Sequence, residues 1–294
     1  DFNAVRQQFS GEQLRNRQIH QMQLQANKAM KLAQIMSQWD DLLPPDLANE
    51  LARLQRQAEP MPWPKIREAL VMQYGDIDQH FREIEERPFA SASMGQVHKA
   101  VTLDGETVVL KVQYPGLADV LESDLKQVKR IMGLGRWFKV PQARLDALFE
   151  ELAAGLRDEL DYHAEAEALA RYRKRYHDHP ELVIPEPLFE LSGQHVLAMR
   201  FVDGTPLRDL ESADDATRQK VAVALADWIT EELFTYRELH ADPHAGNFAC
   251  DEQGRLVIYD LGAVIPVPEA RLKAMMQLLD ATLDQDPMAM DDAL

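Results

Sequence analysis

Asp242, Asn247 and Asp260 constrain this 294-residue chain more than any other feature. They lie in His240-Ala241-Asp242-Pro243-His244-Ala245-Gly246-Asn247 and in Val257-Ile258-Tyr259-Asp260-Leu261-Gly262. Between Asn247 and Asp260, Phe248–Cys250 and Arg255–Tyr259 form two apolar runs around Glu252-Gln253-Gly254, which reads as a hairpin. A hairpin brings its second strand back to the start of its first, so Asn247 and Asp260 are expected at one end. A carboxylate and an amide oxygen held together are hard donors, and Mg²⁺ binds through one or two carboxylates plus further oxygens. Asp, Asn, Gly and Pro also favour turns. A turn alone does not ask for both segments in this order with an apolar strand before Asp260.

An Asp followed five residues later by Asn is the spacing of a kinase catalytic loop, with the Asp as base and the Asn as metal ligand. Asp260-Leu261-Gly262 is a variant of the Asp-Phe-Gly metal motif. Phosphoryl transfer needs little more from a protein than metal ligands, a positioned base and charge neutralisation. Upstream, Val108-Val109-Leu110-Lys111-Val112 places a lysine inside an apolar strand, which is costly unless the charge is paired. A kinase uses such a lysine to hold the α/β-phosphates and pairs it with a helix glutamate. An edge-strand lysine is the plainer alternative. Glu159, Asp161 and Glu165 on a following helix are the candidate partners.

The pattern along the chain changes near residue 80. Residues 11–38 read as a helix with Met22, Ala26, Met30 and Ala33 on one face. A short helix over 46–56 and a third over 65–74, stopped by Gly75, follow. Strands are expected at Val97–Ala100 and Thr107–Gln113, joined through Asp104-Gly105. Helices are expected over 117–176 with breaks near Gly133–Gly135 and Val140-Pro141. Two strands follow around Leu182–Ile184 and Val196–Phe201. A long helix over 214–237 and another from about 268 complete the reading. The order implies an α+β fold in two lobes: a helical extension over 1–80, an N-lobe over 81–198 and a C-lobe over 199–294.

Composition narrows the function. The net charge is −17, and residues 1–80 hold 9 basic and 10 acidic residues, so the excess lies in the rest of the chain. No basic run is present to neutralise a nucleic-acid backbone, and an acidic surface repels anionic lipid. No apolar stretch is long enough to span a membrane. A single cysteine, Cys250, excludes an intrachain disulfide and reads as a small buried hydrophobe. Together these features point to the cytoplasm, with peripheral contact to the inner membrane left open. His98, His240 and His244 are not spaced as a zinc site and read as structural or loop-positioning residues.

With these residues in place, the sequence resembles the UbiB/aarF-domain family of atypical kinases, over essentially all of residues 20–265. The resemblance rests on motifs in the family's order. An Ala-rich loop, Pro88-Phe89-Ala90-Ser91-Ala92-Ser93-Met94-Gly95-Gln96-Val97-His98, stands where ordinary kinases carry glycines. Small residues let backbone N–H groups approach phosphates. The family's Lys-x-Gly-Gln motif appears as Lys31-Leu32-Ala33-Gln34, with Ala33 for Gly. Its Glu-x-Asp motif falls on Glu159 and Asp161. The resemblance implies a bilobal protein-kinase-like fold with an N-terminal helical extension. It implies that Glu165 pairs with Lys111, and that Glu159 and Asp161 face the extension near Lys31 and Gln34. It implies ATP and Mg²⁺ as cofactors: Ala90, Ser91, Ala92 and Ser93 near the phosphates, Asn247 and Asp260 on the metal, and Asp242 as catalytic base. From order along the chain, the adenine contact is expected on the backbone near Met199 and Val202.

Two features bear on the acceptor. Ala241 stands where many kinases carry an Arg that reads activation-loop phosphorylation. Only about five residues separate Gly262 from Pro268-Glu269, too few for a peptide platform. The expected function is an ATPase, or a kinase of a small molecule or isoprenoid lipid in ubiquinone-type metabolism, with no trans-acting protein kinase activity. The expected partners are that ligand, together with peripheral membrane or biosynthetic-complex contacts. The alternatives are an aminoglycoside- or choline-type small-molecule kinase and a nucleotide-sensing scaffold with little turnover.

Overall fold

The structure, a computed structural model, describes residues 60–118 apart from 93, then 121–122, 125–126, 129 and 142–283. The helices expected over 11–38 and 46–56, with Lys31 and Gln34, lie outside the described residues, as do Ser93 and the breaks near 133–141. In chain order the described elements are α1 (Trp63–Tyr74), β1 (Phe81–Ile84), β2 (Ala90–Ala92), β3 (Gly95–Thr102), β4 (Thr107–Gln113), α2 (Gln142–Asp158) and α3 (Tyr162–Arg175). They continue with β5 (Leu182–Val183), β6 (Val196–Arg200), β7 (Thr205–Pro206), α4 (Asp215–Glu231), β8 (Glu238–His240), β9 (Phe248–Cys250), β10 (Leu256–Ile258), β11 (Val264–Pro266) and α5 (Glu269–Leu283).

The described chain divides into two compact units whose segments alternate along the sequence. One runs to Ala166 and includes Pro187–Phe201, and the other joins Glu167–Glu186 to the chain from Val202 onward. The first unit is built on a sheet in the order β1-β3-β4-β6, with β2 paired to β3. All of these pairings are antiparallel. The β4 run of β-branched and aliphatic residues explains its place between β3 and β6: Val108, Leu110 and Val112 are fully buried in the core. Helix α1 contributes Ile66 and Leu70 to the same core, so this part of the expected extension packs with the sheet. A proline sits in the first turn of α1, where its missing N–H costs nothing. The helix ends at Gly75, whose φ of 70° lets its N–H reach Val71 O at 2.8 Å.

In the second unit a sheet runs β5-β10-β9-β7, with β5 parallel to β10. The expected hairpin is present as β9 and β10, which pair Phe248 with Ile258 and Cys250 with Leu256. Gly254 turns it with a φ of 71°. Two short strands not anticipated from the sequence, β8 and β11, pair Leu239 with Ile265. Helix α4 is capped by Asp214, whose carboxylate accepts from the Thr217 N–H at 2.8 Å. The long helix expected to Arg237 ends as an α-helix at Glu231. It continues as a π-turn over Glu232–Tyr236 and closes on Arg237 at a left-handed φ of 56°.

Candidate functional site

In the first unit, Lys111 lies mid-strand, opposite Val97 on one side and Leu197 on the other. Its ammonium donates to both carboxylate oxygens of Glu165, at 2.7 and 2.8 Å. The two side chains are 9% and 4% exposed. Removing one partner of such a pair costs about 3–5 kcal/mol, because the other charge stays buried and uncompensated. The Lys111 ammonium also stands over the Tyr162 ring, 5.1 Å from its centroid.

Glu165 is held in register by the start of α3. Asp161 accepts from the Ala164 N–H at 3.0 Å, and its carbonyl accepts from the Glu165 N–H at 3.1 Å. Asp161 is therefore an N-cap, an Asp immediately before the first helical residue, Tyr162. Gln113, two residues after Lys111, donates to Leu160 O at 2.5 Å and accepts from the His195 ring at 2.9 Å. This buried amide fixes the turn that precedes α3 relative to β4, a role the sequence did not suggest. Glu159 is half-buried in that turn.

The Ala-rich segment forms an antiparallel hairpin. Ala90, Ser91 and Ala92 on β2 pair with Val97, Gln96 and Gly95 on β3. A Cβ on Gly95 would lie 2.2 Å from Val112 O, so only glycine lets β3 approach β4 there. Met199 is buried in β6 opposite Val109. The Val202 carbonyl belongs to the second unit and accepts from the Tyr259 hydroxyl at 3.0 Å.

Asp242, Asn247 and Asp260, expected from the sequence as base and metal ligands, all lie within the second unit. Asn247 Nδ2 donates to Asp242 O at 3.0 Å, which leaves Oδ1 as the acceptor of that amide. Asp260 Oδ1 accepts from the Gly262 N–H at 2.9 Å. The Asn247 carbonyl accepts from the Tyr259 N–H at 2.9 Å, so the hairpin ends where Asp260 begins. His240 joins the two acidic residues. Its Nδ1 accepts from the Asp242 N–H at 3.2 Å, and its Nε2 lies 2.9 Å from the Asp260 carbonyl. A carbonyl only accepts, so Nε2 is the donor in that contact. Buried against Trp228 and Phe248, His240 is a loop-positioning residue. His244 accepts from the Gly246 N–H at 3.1 Å and shapes the turn before Asn247.

β8 leads into this loop and is anchored by a buried ionic cluster. Arg175 donates to Glu232 at 2.5 and 2.7 Å and to Glu238 at 2.9 Å. Tyr172 and Tyr176 donate to Glu232 at 2.8 and 2.6 Å, and Arg171 donates to Glu238. Burial and these carboxylates push both tyrosine hydroxyls well above their ordinary pKa. Burial raises the Glu238 carboxyl, but hydrogen bonds from Arg171, Arg175 and Tyr172 outweigh it and hold the group below its ordinary value.

A buried strand lysine paired with a helix glutamate in one unit, and an Asp–Asn–Asp loop set in the other, define a protein-kinase-like protein. The ABC1 atypical kinase-like domain family matches residues 53–294. The chain belongs to that family, the UbiB-type atypical kinases its motifs resemble. It is 31% identical over 266 residues to the mitochondrial atypical kinase coq-8 of Caenorhabditis elegans, covering 88% of this chain and 35% of that protein. It is 32% identical over 245 residues to the mitochondrial atypical kinase COQ8B of Danio rerio, covering 82% and 39%. An uncharacterised Synechocystis protein, slr0889, is 30% identical over 273 residues, covering 87% and 66%. The chain thus spans between about a third and two thirds of these relatives. The solved structure of Rv3197 with erythromycin from Mycobacterium tuberculosis covers all of this chain and 75% of that one, at 27% identity and a TM-score of 0.63.

Proposed function

We propose that this chain binds Mg·ATP and acts as an ATPase, or as a kinase of a small molecule or isoprenoid lipid in ubiquinone-type metabolism. The carrying observation is the Lys111–Glu165 pair, a charge kept inside a strand and oriented by both oxygens of its partner. Lys111 would neutralise the α/β-phosphates, and the Ala90–Ala92 backbone would approach them. Asn247 Oδ1 and the Asp260 carboxylate are the hard oxygens Mg²⁺ takes, so these residues fit the metal. Bound Mg²⁺ would offset the charge that develops on the phosphoryl oxygens. Asp242, fixed by His240 and Asn247, would accept the proton of the attacking hydroxyl or water.

Only residues 263–268 separate Gly262 from α5, and Val264–Pro266 are already paired with β8. This supports a small or lipid acceptor over a docked protein. Among the described residues no helix is long and apolar enough to cross a membrane. We further propose a cytoplasmic protein with peripheral contact to the inner membrane or to a biosynthetic complex.

The test is Mg²⁺-dependent phosphate release measured beside phosphorylation of an added protein. Release that an isoprenoid-lipid vesicle alters, without saturable protein labelling, supports the reading. Saturable labelling of the added protein overturns it. Tight nucleotide binding with no release favours a nucleotide-sensing scaffold instead.

A further inference from the structure

The sheet face that carries Lys111 also carries a cluster that the nucleotide chemistry above does not use. Residues directly opposite one another on paired strands share a face. Val97 lies opposite Lys111, Lys99 opposite Val109, and Val109 opposite Met199. Lys99 therefore stands on the Lys111 face, one cross-strand step from Val109 and two from Met199. Its ammonium is 4.3 Å from the Phe89 ring centroid and 3.9 Å from that of Phe201. The two rings meet edge to face at 5.7 Å. Phe89 immediately precedes the Ala90–Ala92 strand, and its N–H donates to Val97 O at 2.7 Å. Phe201 follows β6, two residues after Met199, and its N–H donates to Thr107 O at 3.1 Å. Phe89 is 51% exposed, so the core does little to hold it. Its neighbours in this cluster are a cation and a second ring, both at favourable aromatic distances.

We infer that Lys99 is a positioning residue: with Phe89 and Phe201 it clamps the base of the Ala-rich hairpin to the end of β6 and so fixes the Ala90–Ala92 backbone for phosphate binding. The inference rests on the Mg·ATP reading and adds to it a residue that acts on phosphate affinity without touching phosphate. Losing the clamp frees the hairpin, so affinity falls for ligands that carry phosphates and not for adenosine.

The test compares wild type with Lys99→Met and Lys99→Arg, the second of which keeps a cation over both rings. ATP and adenosine affinities are measured in the presence of Mg²⁺, together with amide hydrogen exchange over Phe89–Val97 in the unliganded proteins. In Lys99→Met, ATP affinity should fall about 5-fold, the change expected from losing cation–π contacts of this kind. Adenosine affinity should hold, hairpin exchange should quicken, and Lys99→Arg should restore both readouts. Equal losses for ATP and adenosine, or unchanged exchange in Lys99→Met, would overturn the clamp. If wild type binds no nucleotide, the Mg·ATP reading fails, and the exchange measurement alone decides the clamp.

Discussion

Arg175→Met keeps the length of the side chain and removes the charge facing Glu232 and Glu238. Glu232 is 3% exposed and Arg175 is 13% exposed, so neither is well solvated. Breaking a buried pair costs about 3–5 kcal/mol. Glu232 would retain the Tyr172 and Tyr176 hydroxyls, and Glu238 would retain Arg171, which places the loss near the lower end, about 3 kcal/mol. For a chain of this size that lowers the melting temperature by roughly 6–12 °C. The assay is thermal unfolding followed by circular dichroism at neutral pH. Adding Glu232→Gln should recover part of the loss, because it removes the charge left behind. A single-variant loss under about 0.5 kcal/mol, or a double variant no more stable than Arg175→Met alone, would refute the reasoning. Because β8 carries Glu238 and runs directly to His240 and Asp242, the same variant should also lower phosphate release.

Gly95→Ala should destabilise the first unit by about 3 kcal/mol or more, since the new methyl group would sit 2.2 Å from a backbone oxygen; a variant that melts with wild type would contradict this. His98 is fully buried, its Nδ1 bonded to Glu85 O at 2.7 Å and its Nε2 to Gln96 at 2.8 Å. Burial lowers its pKa below the ordinary 6.5, more than the Glu85 carbonyl raises it. The unfolded chain then binds the proton more readily than the folded one, so this contribution to stability is present above about pH 6.5 and is lost as pH falls below it. Unfolding free energy measured from pH 7.5 to 5 should slope less steeply in His98→Asn, whose amide can still donate to Glu85 O.

The hairpin between Asn247 and Asp260 was legible because two apolar runs flank a glycine turn, and local pattern alone sets that register. The α1 stop at Gly75 was also legible locally, because a glycine takes the positive φ that ends a helix. The strands β8 and β11 were not. Each is three residues long, and only the pairing of Leu239 with Ile265 across the loop makes them strands. The π-turn after Glu231 was also hidden, because its buried Glu232 answers to two tyrosines and an arginine on α3 and just past its end, more than fifty residues earlier. At the site, a lysine inside an apolar strand announced itself by its cost. Periodicity could not choose among Glu159, Asp161 and Glu165; the family resemblance favoured Glu165, and the structure places that carboxylate on Lys111. Gln113 gave no signal, since its importance lies in two partners distant along the chain.

The proposed Mg·ATP site depends on Asp260. Thermal stabilisation of the chain by ATP, with and without Mg²⁺, in wild type and Asp260→Asn, tests it most directly. A ligand that binds only the folded state at about 100 times its Kd adds about 2.7 kcal/mol. A clear upward shift that needs Mg²⁺ and is lost in Asp260→Asn is the expected result. A shift of equal size without Mg²⁺, or one that survives in Asp260→Asn, or no shift with any nucleotide, would contradict it.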